Sequence, residues 1–342
     1  MNLLIVEDDD KQIEVYIDTI NQHNKNSQIK ITHTVKKTFE DAHNLLKSNY
    51  YDGAIIDLRL SSKTLDYEGV KLVEEINGKL RIPVYVVSAS LGEVATTVEN
   101  VLLQKRNRTD SFKTIIDELL DIYNSGITKL LKPNSFVDEI LTKIFWNHLP
   151  IILNEYIKEK KTKPQFDTEK TLVRYISAYI NEYLELNSEN NLEAFHNTEF
   201  YIKPCIKSNY FTGDIIKNKK DNSLWVILTP ACDLATDSKR PNPKAEAITL
   251  ALIQKNEQVL TDSNKGNHQK LMSNSADLKF HNLPKSIIFE GGFVNFQYVQ
   301  SVIIAQCKSD FEPLMTISNS FRKDIISRFS NYYSRQGQPV IE

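Results

Sequence analysis

The stretch Asn2-Leu3-Leu4-Ile5-Val6-Glu7-Asp8-Asp9-Asp10 decides the fold of the first part of this chain. Its apolar run is typical of a strand buried on both faces, and the run ends in unbroken acidic sequence. Two later runs have the same form: Gly53-Ala54-Ile55-Ile56 ends in Asp57, and Val84-Tyr85-Val86-Val87 ends in Ser88. The pattern predicts three buried strands, each with a polar side chain at its carboxyl end.

A fourth apolar run, Ile127-Thr128-Lys129-Leu130-Leu131, is predicted to be a strand that ends in Lys132-Pro133. In an open α/β sheet, ligands bind outside the carboxyl ends of the strands, so these polar residues are expected to share one site. Crowded carboxylates favour a hard cation such as Mg2+ among them, and an aspartate there can become an aspartyl phosphate. The Lys132 ammonium and the Ser88 hydroxyl would then contact the phosphoryl oxygens.

At these residues the chain resembles the receiver domain of two-component response regulators. The resemblance covers residues 1–146 and rests on four motifs: Leu4-Ile5-Val6-Glu7-Asp8-Asp9, Ala54-Ile55-Ile56-Asp57-Leu58, Val87-Ser88-Ala89 and Lys129-Leu130-Leu131-Lys132-Pro133. It implies a flavodoxin-like, doubly wound parallel sheet and a partner histidine kinase. It also implies that Asp57 is the phosphoacceptor, Ser88 the switch hydroxyl and Lys132 the phosphate-binding lysine.

The resemblance further implies how the cofactor Mg2+ is bound. The ligands would be Asp8, Asp57 and the backbone carbonyl of Arg59, with Glu7 acting through water. The acidic pair is Glu7 and Asp8 or, alternatively, Asp8 and Asp9. The length of the preceding strand favours Glu7 and Asp8.

The chain departs from the family pattern in two places. The loop after Asp57 is about four residues longer before Gly69, and it lacks the usual proline. About twenty extra residues lie between Ser88 and Lys132, and the apolar spacing within residues 93–123 predicts two helices joined by the polar segment 105–110. The pocket chemistry is expected to be retained, while the surface around it is rebuilt.

Composition limits the functions that are open to the chain. It has 342 residues, which suggests two domains, and a net charge of −2, which gives no support for binding to a phosphate backbone. With no helix-turn-helix pattern, specific DNA binding is not expected. The three cysteines have neither disulfide nor zinc spacing. No signal peptide or membrane-spanning run is recognised, so a cytoplasmic protein that does not bind membranes is expected.

Beyond the receiver, residues 147–190 are predicted to be a helical connector and residues 191–342 a C-terminal output or partner-binding domain. A tyrosine stripe in the helix 167–186 forms either a homodimer face or a contact within its own domain. The polar stretch 187–191 is the predicted boundary.

The C-terminal domain is expected to be a small, mostly β unit of barrel-like form, with a closing helix at 319–335. Strands are predicted within 211–216, 224–230, 247–253, 286–289, 293–299 and 301–307, and the last two are expected to form a hairpin. A long loop is expected over residues 255–285.

Cys232 and Asp233, at the end of a predicted strand, are the candidate reactive residues of the C-terminal domain. A buried cysteine and a turn-capping aspartate are the structural alternative. Three functions follow: a phosphorylation switch that controls a partner-binding module, a switched hydrolase or nuclease, and a phosphate sink in a kinase pathway. The sequence favours the first, because no acid–base partner for Cys232 has a diagnostic spacing.

Overall fold

The structure of the protein is a computed structural model, which describes all residues except 59, 61–71, 75, 77, 79, 89–99, 131, 164–167, 188, 262–264, 276–277 and 336–342. The chain divides into two compact units, Met1–Asn191 and Leu192–Glu342. The division lies at the polar stretch that ends at Asn191. No helix in the described parts of the chain is both long and apolar enough to cross a bilayer.

The N-terminal unit is built on a five-stranded, fully parallel sheet with the strand order β2-β1-β3-β4-β5. The strands are β1 (Asn2–Val6), β2 (Thr32–Lys36), β3 (Gly53–Asp57), β4 (Val84–Ser88) and β5 (Leu103–Asn107). Every residue of β3 and β4 is buried, because helices cover both faces of a parallel sheet. The predicted flavodoxin-like, doubly wound sheet is confirmed.

Helices on opposite faces of this sheet enclose two separate cores. One face is covered by α2 (Phe39–Ser48) and by the helical residues between 72 and 78. The other is covered by α1 (Asp10–Asn26) and α3 (Phe112–Asn124), whose apolar sides pack on Leu3, Ile5 and Ile55. α3 is thus the helix that follows β5 and completes the second helical layer.

The predicted strand at 127–131 is wrong, because Ile127–Leu130 forms the one-turn helix α4 and β5 lies at Leu103–Asn107. Of the two helices predicted within 93–123, the second is confirmed as α3, whereas residues 100–107 form a bridge, a turn and β5, and residues 93–99 lie outside the described residues. As an edge strand, β5 does not need apolar residues on both faces, so its central Lys105 and Arg106 are only half-buried. Arg106 binds Glu118 of α3 at 2.8 Å, which fixes the polar strand to the helix.

Three further helices complete the N-terminal unit: α5 (Phe136–Asn147), α6 (Leu149–Thr162) and α7 (Thr168–Leu184). The chain breaks between α5 and α6, and Pro150 lies in the first turn of α6. Part of the tyrosine stripe on α7 faces inward, since His148 hydrogen-bonds Tyr183 at 2.8 Å and stacks against Tyr179 at 4.2 Å. A contact within the same unit therefore accounts for these two tyrosines.

The C-terminal unit is a seven-stranded antiparallel sheet with the order β10-β11-β9-β8-β7-β12-β6. Its strands are β6 (Tyr201–Ile202), β7 (Asp214–Asn218), β8 (Leu224–Ile227), β9 (Ala247–Gln254), β10 (Phe280–Leu283), β11 (Gly292–Ile303) and β12 (Phe311–Ile317). The barrel-like form expected from the sequence is not observed, because the sheet is open within the described residues, with β10 and β6 as its edges. The hydroxyl of Tyr201 nevertheless donates to the carbonyl of Pro284 at 2.7 Å, so a side chain links the two edges.

The helices of this unit are short except the last. They are a 3-10 turn (Asn197–Phe200), α8 (Ala231–Leu234), α9 (Asn256–Thr261), a 3-10 turn (Lys265–Asn267), α10 (His268–Met272), α11 (Ile304–Asp310) and α12 (Asn319–Ser334). The closing helix is confirmed as α12. It packs through Phe321, Ile325 and Phe329 on the core of the sheet.

Three predictions for the C-terminal unit are wrong. The expected hairpin over 293–307 is one long strand, β11, followed by α11; a bulge between Asn295 and Val299 interrupts its apolar pattern. The expected loop at 255–285 contains α9, α10 and β10. Residues 286–289 form an isolated bridge and no strand, and β12 was not predicted.

Candidate functional site

The carboxyl ends of β1 and β3 bring three carboxylates together. Glu7 and Asp8 directly follow β1, Asp57 is the last residue of β3, and the two strands are neighbours in the sheet. Carboxylate oxygens of the three residues lie within 4.8 Å of one another. Asp9 instead caps α1, where its side chain accepts from Lys11 N at 3.0 Å. Glu7 and Asp8 therefore cluster with Asp57, whereas the side chain of Asp9 is used at the helix cap.

Two of these carboxylates are almost fully buried: Glu7 is 1% exposed and Asp57 3%. Burial, and then the nearby charge of Asp57, raise the pKa of Glu7 to about 7. Glu7 Oε1 accepts from Asp9 N at 3.1 Å, whereas Glu7 Oε2 is buried and has no hydrogen-bond partner among the described residues. The pocket thus has an acceptor oxygen available to a further cation or donor.

Arg108, which comes directly after β5, supplies the positive charge in this pocket. Its Nη2 lies 2.9 Å from Glu7 Oε1 and 2.5 Å from Asp57 Oδ2. Its backbone N donates to the carbonyl of Ser88 at 3.4 Å, which sets the arginine beside the end of β4. Burial lowers the pKa of Arg108, but the Asp57 and Glu7 carboxylates raise it by more, so the guanidinium remains charged.

Lys132 does not lie at the predicted site. Its ammonium forms an ion pair with Asp52, which precedes β3 and is only 3% exposed. Asp52 also accepts from Asn2 N at 2.7 Å, at the amino-terminal start of β1. Lys132 is therefore at the end of the sheet opposite to Asp57, because the chain that leads to it is a helical turn and not a strand.

The other predicted receiver residues have different outcomes. Ser88 is buried at the carboxyl end of β4, in register with Asn107 of β5, and β4 adjoins β3. Its position in the sheet is therefore the one expected for it. Arg59, whose backbone carbonyl was a predicted Mg2+ ligand, lies outside the described residues.

The residues present fit a hard divalent cation. Mg2+ favours carboxylate oxygens with water completing its coordination, and the three carboxylates provide such oxygens. The buried, unpartnered Glu7 Oε2 adds an acceptor that nothing in the described chain satisfies. Arg108 contacts two of these carboxylates, so a divalent cation would share them with its guanidinium.

Comparisons with known proteins return solved structures only. No family model matches the chain, and no curated protein does. Similar solved structures include the N-terminal domain of a response regulator/sensory box/GGDEF protein from Carboxydothermus hydrogenoformans, at 19% identity, covering 37% of this chain and 99% of that one, with a TM-score of 0.29. The strand order of the N-terminal unit, β2-β1-β3-β4-β5, is by itself that of a flavodoxin-like sheet.

Two other similar structures are receiver domains as well. The domain from Methylobacillus flagellatus is 17% identical, covers 36% of this chain and 98% of that one, and has a TM-score of 0.28. The domain of the Francisella response regulator 1452 is 21% identical, covers 36% of this chain and 97% of that one, and has a TM-score of 0.27. Coverage of about a third leaves the C-terminal unit outside these receiver likenesses.

Arg108 is the site residue that sequence reasoning missed in this receiver-like unit. The sequence signal was the extra length between Ser88 and Lys132. We interpreted this extra length as an additional helix. The extra residues could instead have indicated that the fifth strand lies earlier in the sequence than residues 127–131. That strand is Leu103–Asn107, and Arg108 is the cation that directly follows it. The polar composition of this strand concealed it.

In the C-terminal unit, Cys232 is exposed within α8. Its Sγ lies 3.6 Å from Asp233 Oδ1, and its backbone carbonyl accepts from Arg240 Nη2 at 3.3 Å. The carbonyl of Asp233 accepts from Lys244 N and Ala245 N, which anchors the turn. None of these contacts, all within the described chain, pairs the thiol with a histidine base.

Proposed function

We propose that this protein is a phosphorylation-controlled signalling protein in which Asp57 accepts a phosphoryl group from a histidine kinase. The observation that supports this most strongly is the buried Asp57 carboxylate, which lies beside Glu7 and Asp8 and in contact with Arg108. An aspartate with two acidic neighbours and one fixed cation is suited to bind a metal and a phosphoryl group together.

In the proposed step, an Asp57 carboxylate oxygen attacks phosphorus and forms a P–O bond. The bond between phosphorus and the kinase imidazole nitrogen breaks, and its electron pair stays on that nitrogen. Mg2+, held by Glu7, Asp8 and Asp57, would neutralise charge on the phosphoryl oxygens. The position of Asp57 at the end of a fully buried strand keeps its carboxylate fixed for the attack.

Arg108 takes the role that the sequence assigned to Lys132. Its guanidinium contacts Asp57 before phosphorylation, and the planar group can bind two phosphoryl oxygens afterwards. The Ser88 hydroxyl donates to a third. Moving a guanidinium and a hydroxyl toward the new phosphoryl group changes the end of β4 and the start of the chain after β5, which provides a two-state signal.

We propose that this signal controls a C-terminal unit that binds a partner protein and does not recognise specific DNA. The exposed Cys232 with its neighbour Asp233 is the basis for the alternative that the unit is a hydrolase or nuclease. A phosphate sink is a third role, in which the C-terminal unit only tethers the protein. The exposed apolar residues of α7, such as Val173 and Leu184, are offered as the homodimer face.

The test is phosphorylation of the full chain with acetyl phosphate and Mg2+, followed by intact-mass measurement. One phosphoryl group should be added, and Asp57→Asn should prevent it. Asp8→Asn should lower the labelling in proportion to the loss of bound Mg2+. Equal labelling of the Asp57→Asn variant would refute the proposal.

A matched pair of variants separates the two candidate cations. Arg108→Gln should slow the labelling or shorten the lifetime of the phosphoryl group, because the group loses its partner cation. Lys132→Gln should label like the unmodified protein, because this residue lies at the other end of the sheet. The reverse result would restore Lys132 to the site.

A further inference from the structure

The helices α6 and α7 bury none of their apolar residues fully within the N-terminal unit. Every residue of α6 is at least partly exposed, and so is every described residue of α7. His148, directly before α6, contacts Tyr179 and Tyr183 near the end of α7, and five residues join the far ends of the two helices. The helices therefore run in roughly opposite directions. Since helices in proteins are stabilised mainly by packing of an apolar face, a further surface is expected to cover this pair.

Each helix carries exposed apolar residues along one side of a half-buried stripe. Leu153 and Ile157 of α6 are 52% and 46% exposed, and Val173 and Leu184 of α7 are 57% and 49% exposed. With 3.6 residues per turn, both pairs follow their stripes by about a quarter turn in the same rotational sense. Because the helices run in opposite directions with their stripes on the inside, the two pairs lie on one side and form an apolar face. The half-buried stripes are Leu149, Ile152 and Tyr156 on α6 and Leu172, Tyr175, Ile176, Tyr179, Ile180 and Tyr183 on α7.

Charge is divided between the two ends of this helix pair. The end remote from His148, residues 158–174, has six Lys or Arg and three Asp or Glu, a net charge of +3. The end near His148, residues 149–157 and 175–191, has four Glu and no Lys, Arg or Asp, a net charge of −4. α7 has 17 residues and is about 25 Å long, whereas salt screens charges over about 8–10 Å, so the two ends act as separate charges.

The size of the apolar face indicates the kind of partner that it fits. Two helices side by side, each about 10 Å wide and about 20–25 Å long, present on the order of 500 Å2. Standard protein interfaces bury about 800 Å2 on each partner, so this face suits a weak and reversible complex. Its partner needs an apolar surface of similar shape, with a basic end and an acidic end in the reverse order. A second copy of the chain, turned end for end, meets each of these requirements.

We propose that the apolar faces of two copies of this chain pack together as an antiparallel four-helix bundle. A twofold axis that lies in the interface, perpendicular to the helices, packs α6 on α6 of the other protomer and α7 on α7. The basic end of each protomer then meets the acidic end of the other, whereas a parallel dimer would bring like charges together. The arrangement rests on the homodimer offered above, adds α6 and the orientation to it, and does not require phosphorylation of Asp57.

The test is sedimentation equilibrium of the full, unphosphorylated chain at micromolar to millimolar concentrations, at low and at high salt. We expect a reversible dimer with a dissociation constant in the micromolar range, which weakens as salt screens the opposite charges. A chain that stays monomeric throughout would overturn the proposal, because the face would then be covered within one chain or left open. A dimer that strengthens with salt would overturn the antiparallel orientation.

Leu153→Glu tests the apolar face. A glutamate at this position would lose solvation in the interface, so the dissociation constant should rise at least about tenfold. Ile151→Glu is the matched control, because Ile151 is an apolar residue of the same helix, 75% exposed, on the side away from the apolar face. It should dimerise normally. Both positions are exposed in the protomer, so both variants should melt near the temperature of the unmodified protein at high dilution. Equal dissociation constants for the two variants would contradict the proposal.

Charge reversal tests the orientation. Glu182→Lys combined with Glu185→Lys neutralises the acidic end and should weaken the antiparallel dimer, whereas it would strengthen a parallel one. Glu14→Lys combined with Glu40→Lys, at exposed positions of α1 and α2, makes the same change in net charge and should have little effect. Asp57→Asn should dimerise like the unmodified protein, so a failed phosphoacceptor assignment would leave this result unchanged. Stronger association of the first variant would overturn the antiparallel bundle.

Discussion

The Arg108 guanidinium is in direct contact with the Asp57 carboxylate, with 2.5 Å between Nη2 and Oδ2. The same nitrogen reaches Glu7 Oε1 at 2.9 Å. The Arg108 guanidinium therefore contacts two of the carboxylates that a divalent cation would bind. Binding of a metal and binding by Arg108 are expected to oppose each other.

Arg108→Gln should raise the affinity for Mg2+, because removing one positive charge leaves the carboxylates more attractive to a cation. We expect about tenfold tighter binding, equivalent to ~1.4 kcal/mol, which is below the ~4 kcal/mol for unit charges 4 Å apart at an effective dielectric of 20. Calorimetric titration with MgCl2 measures the change. Lys132→Gln is the control and should leave the affinity unchanged; weaker binding in Arg108→Gln would show that the arginine supports the metal instead.

The ion pair between Lys132 and Asp52 should stabilise the N-terminal unit. Lys132→Gln leaves the Asp52 carboxylate buried with only its Asn2 hydrogen bond, and we expect a loss of ~1–3 kcal/mol in the free energy of unfolding. Adding Asp52→Asn should recover part of that loss. Urea unfolding followed by the fluorescence of Trp146, in a Trp225→Phe background, reports on this unit. Additive losses in the double variant would show that the two residues are not coupled.

Gly213→Ala should destabilise the C-terminal unit. Gly213 has φ of +84°, and an added Cβ would lie 2.6 Å from Arg322 Cδ. Gly126 of the N-terminal unit has nearly the same φ, +85°, but open space around it. Gly126→Ala should therefore show only the backbone cost of ~1 kcal/mol, while Gly213→Ala should lose more in its own unit. Equal losses in urea unfolding would mean that Arg322 moves aside freely.

Low pH should destabilise the C-terminal unit through His281. Its pKa falls from about 6.5 in the unfolded chain to about 3 in the folded one, so protonation favours unfolding. Above pH 6.5, His281 is neutral in both states and does not lower the free energy of unfolding. As pH falls from 6.5 toward 3, the free energy of unfolding decreases by up to ~1.4 kcal/mol per pH unit. Asp324 acts against this shift and Arg328 with it. The free energy of unfolding can be measured between pH 7 and pH 5 by Trp225 fluorescence. It should depend less steeply on pH in His281→Leu than in the unmodified protein, and equal pH dependence in the two proteins would exclude the effect.

Cysteine alkylation should proceed in the order of exposure. Cys232 is exposed, Cys205 is half-buried, and Cys307 is buried, where burial raises the pKa of its thiol to about 11. Since the thiolate is the nucleophile, iodoacetamide at pH 8 should modify Cys232 first and Cys307 only on unfolding. Peptide mass mapping identifies the sites, and Cys232→Ser should remove the fast phase. Early modification of Cys307 would contradict the packing around it.

The sequence predicts the central strands of the N-terminal unit well and its edge strand badly. β1, β3 and β4 lie between helices on both sides, so their residues must be apolar and the pattern is clear. β5 lies at the edge, and Arg106 finds its partner in Glu118 of α3, a contact that no local pattern reveals. The three acidic residues therefore lie together at the carboxyl ends of β1 and β3, whereas Lys132 lies at the opposite end of the sheet.

In the C-terminal unit, errors occur where tertiary contacts override local pattern. β11 runs from Gly292 to Ile303 through a bulge between Asn295 and Val299, although a turn was expected after Val299. β10 lies in a polar segment and includes His281 and Asn282, whose character suggested a loop. Long-range pairing determines both elements, since β11 pairs with β9 and β10 pairs with β11, and a single sequence does not record these pairings.

The polar β5 has a consequence for how the protein behaves in a crowded solution. An edge strand presents unpaired N–H and C=O groups, and a strand from another molecule can add to them. β5 is an edge strand of the parallel sheet, and Lys105 and Arg106 place positive charge on it. Charged edge residues discourage such sheet-to-sheet addition, so the residues that conceal this strand in the sequence also protect the protein against aggregation.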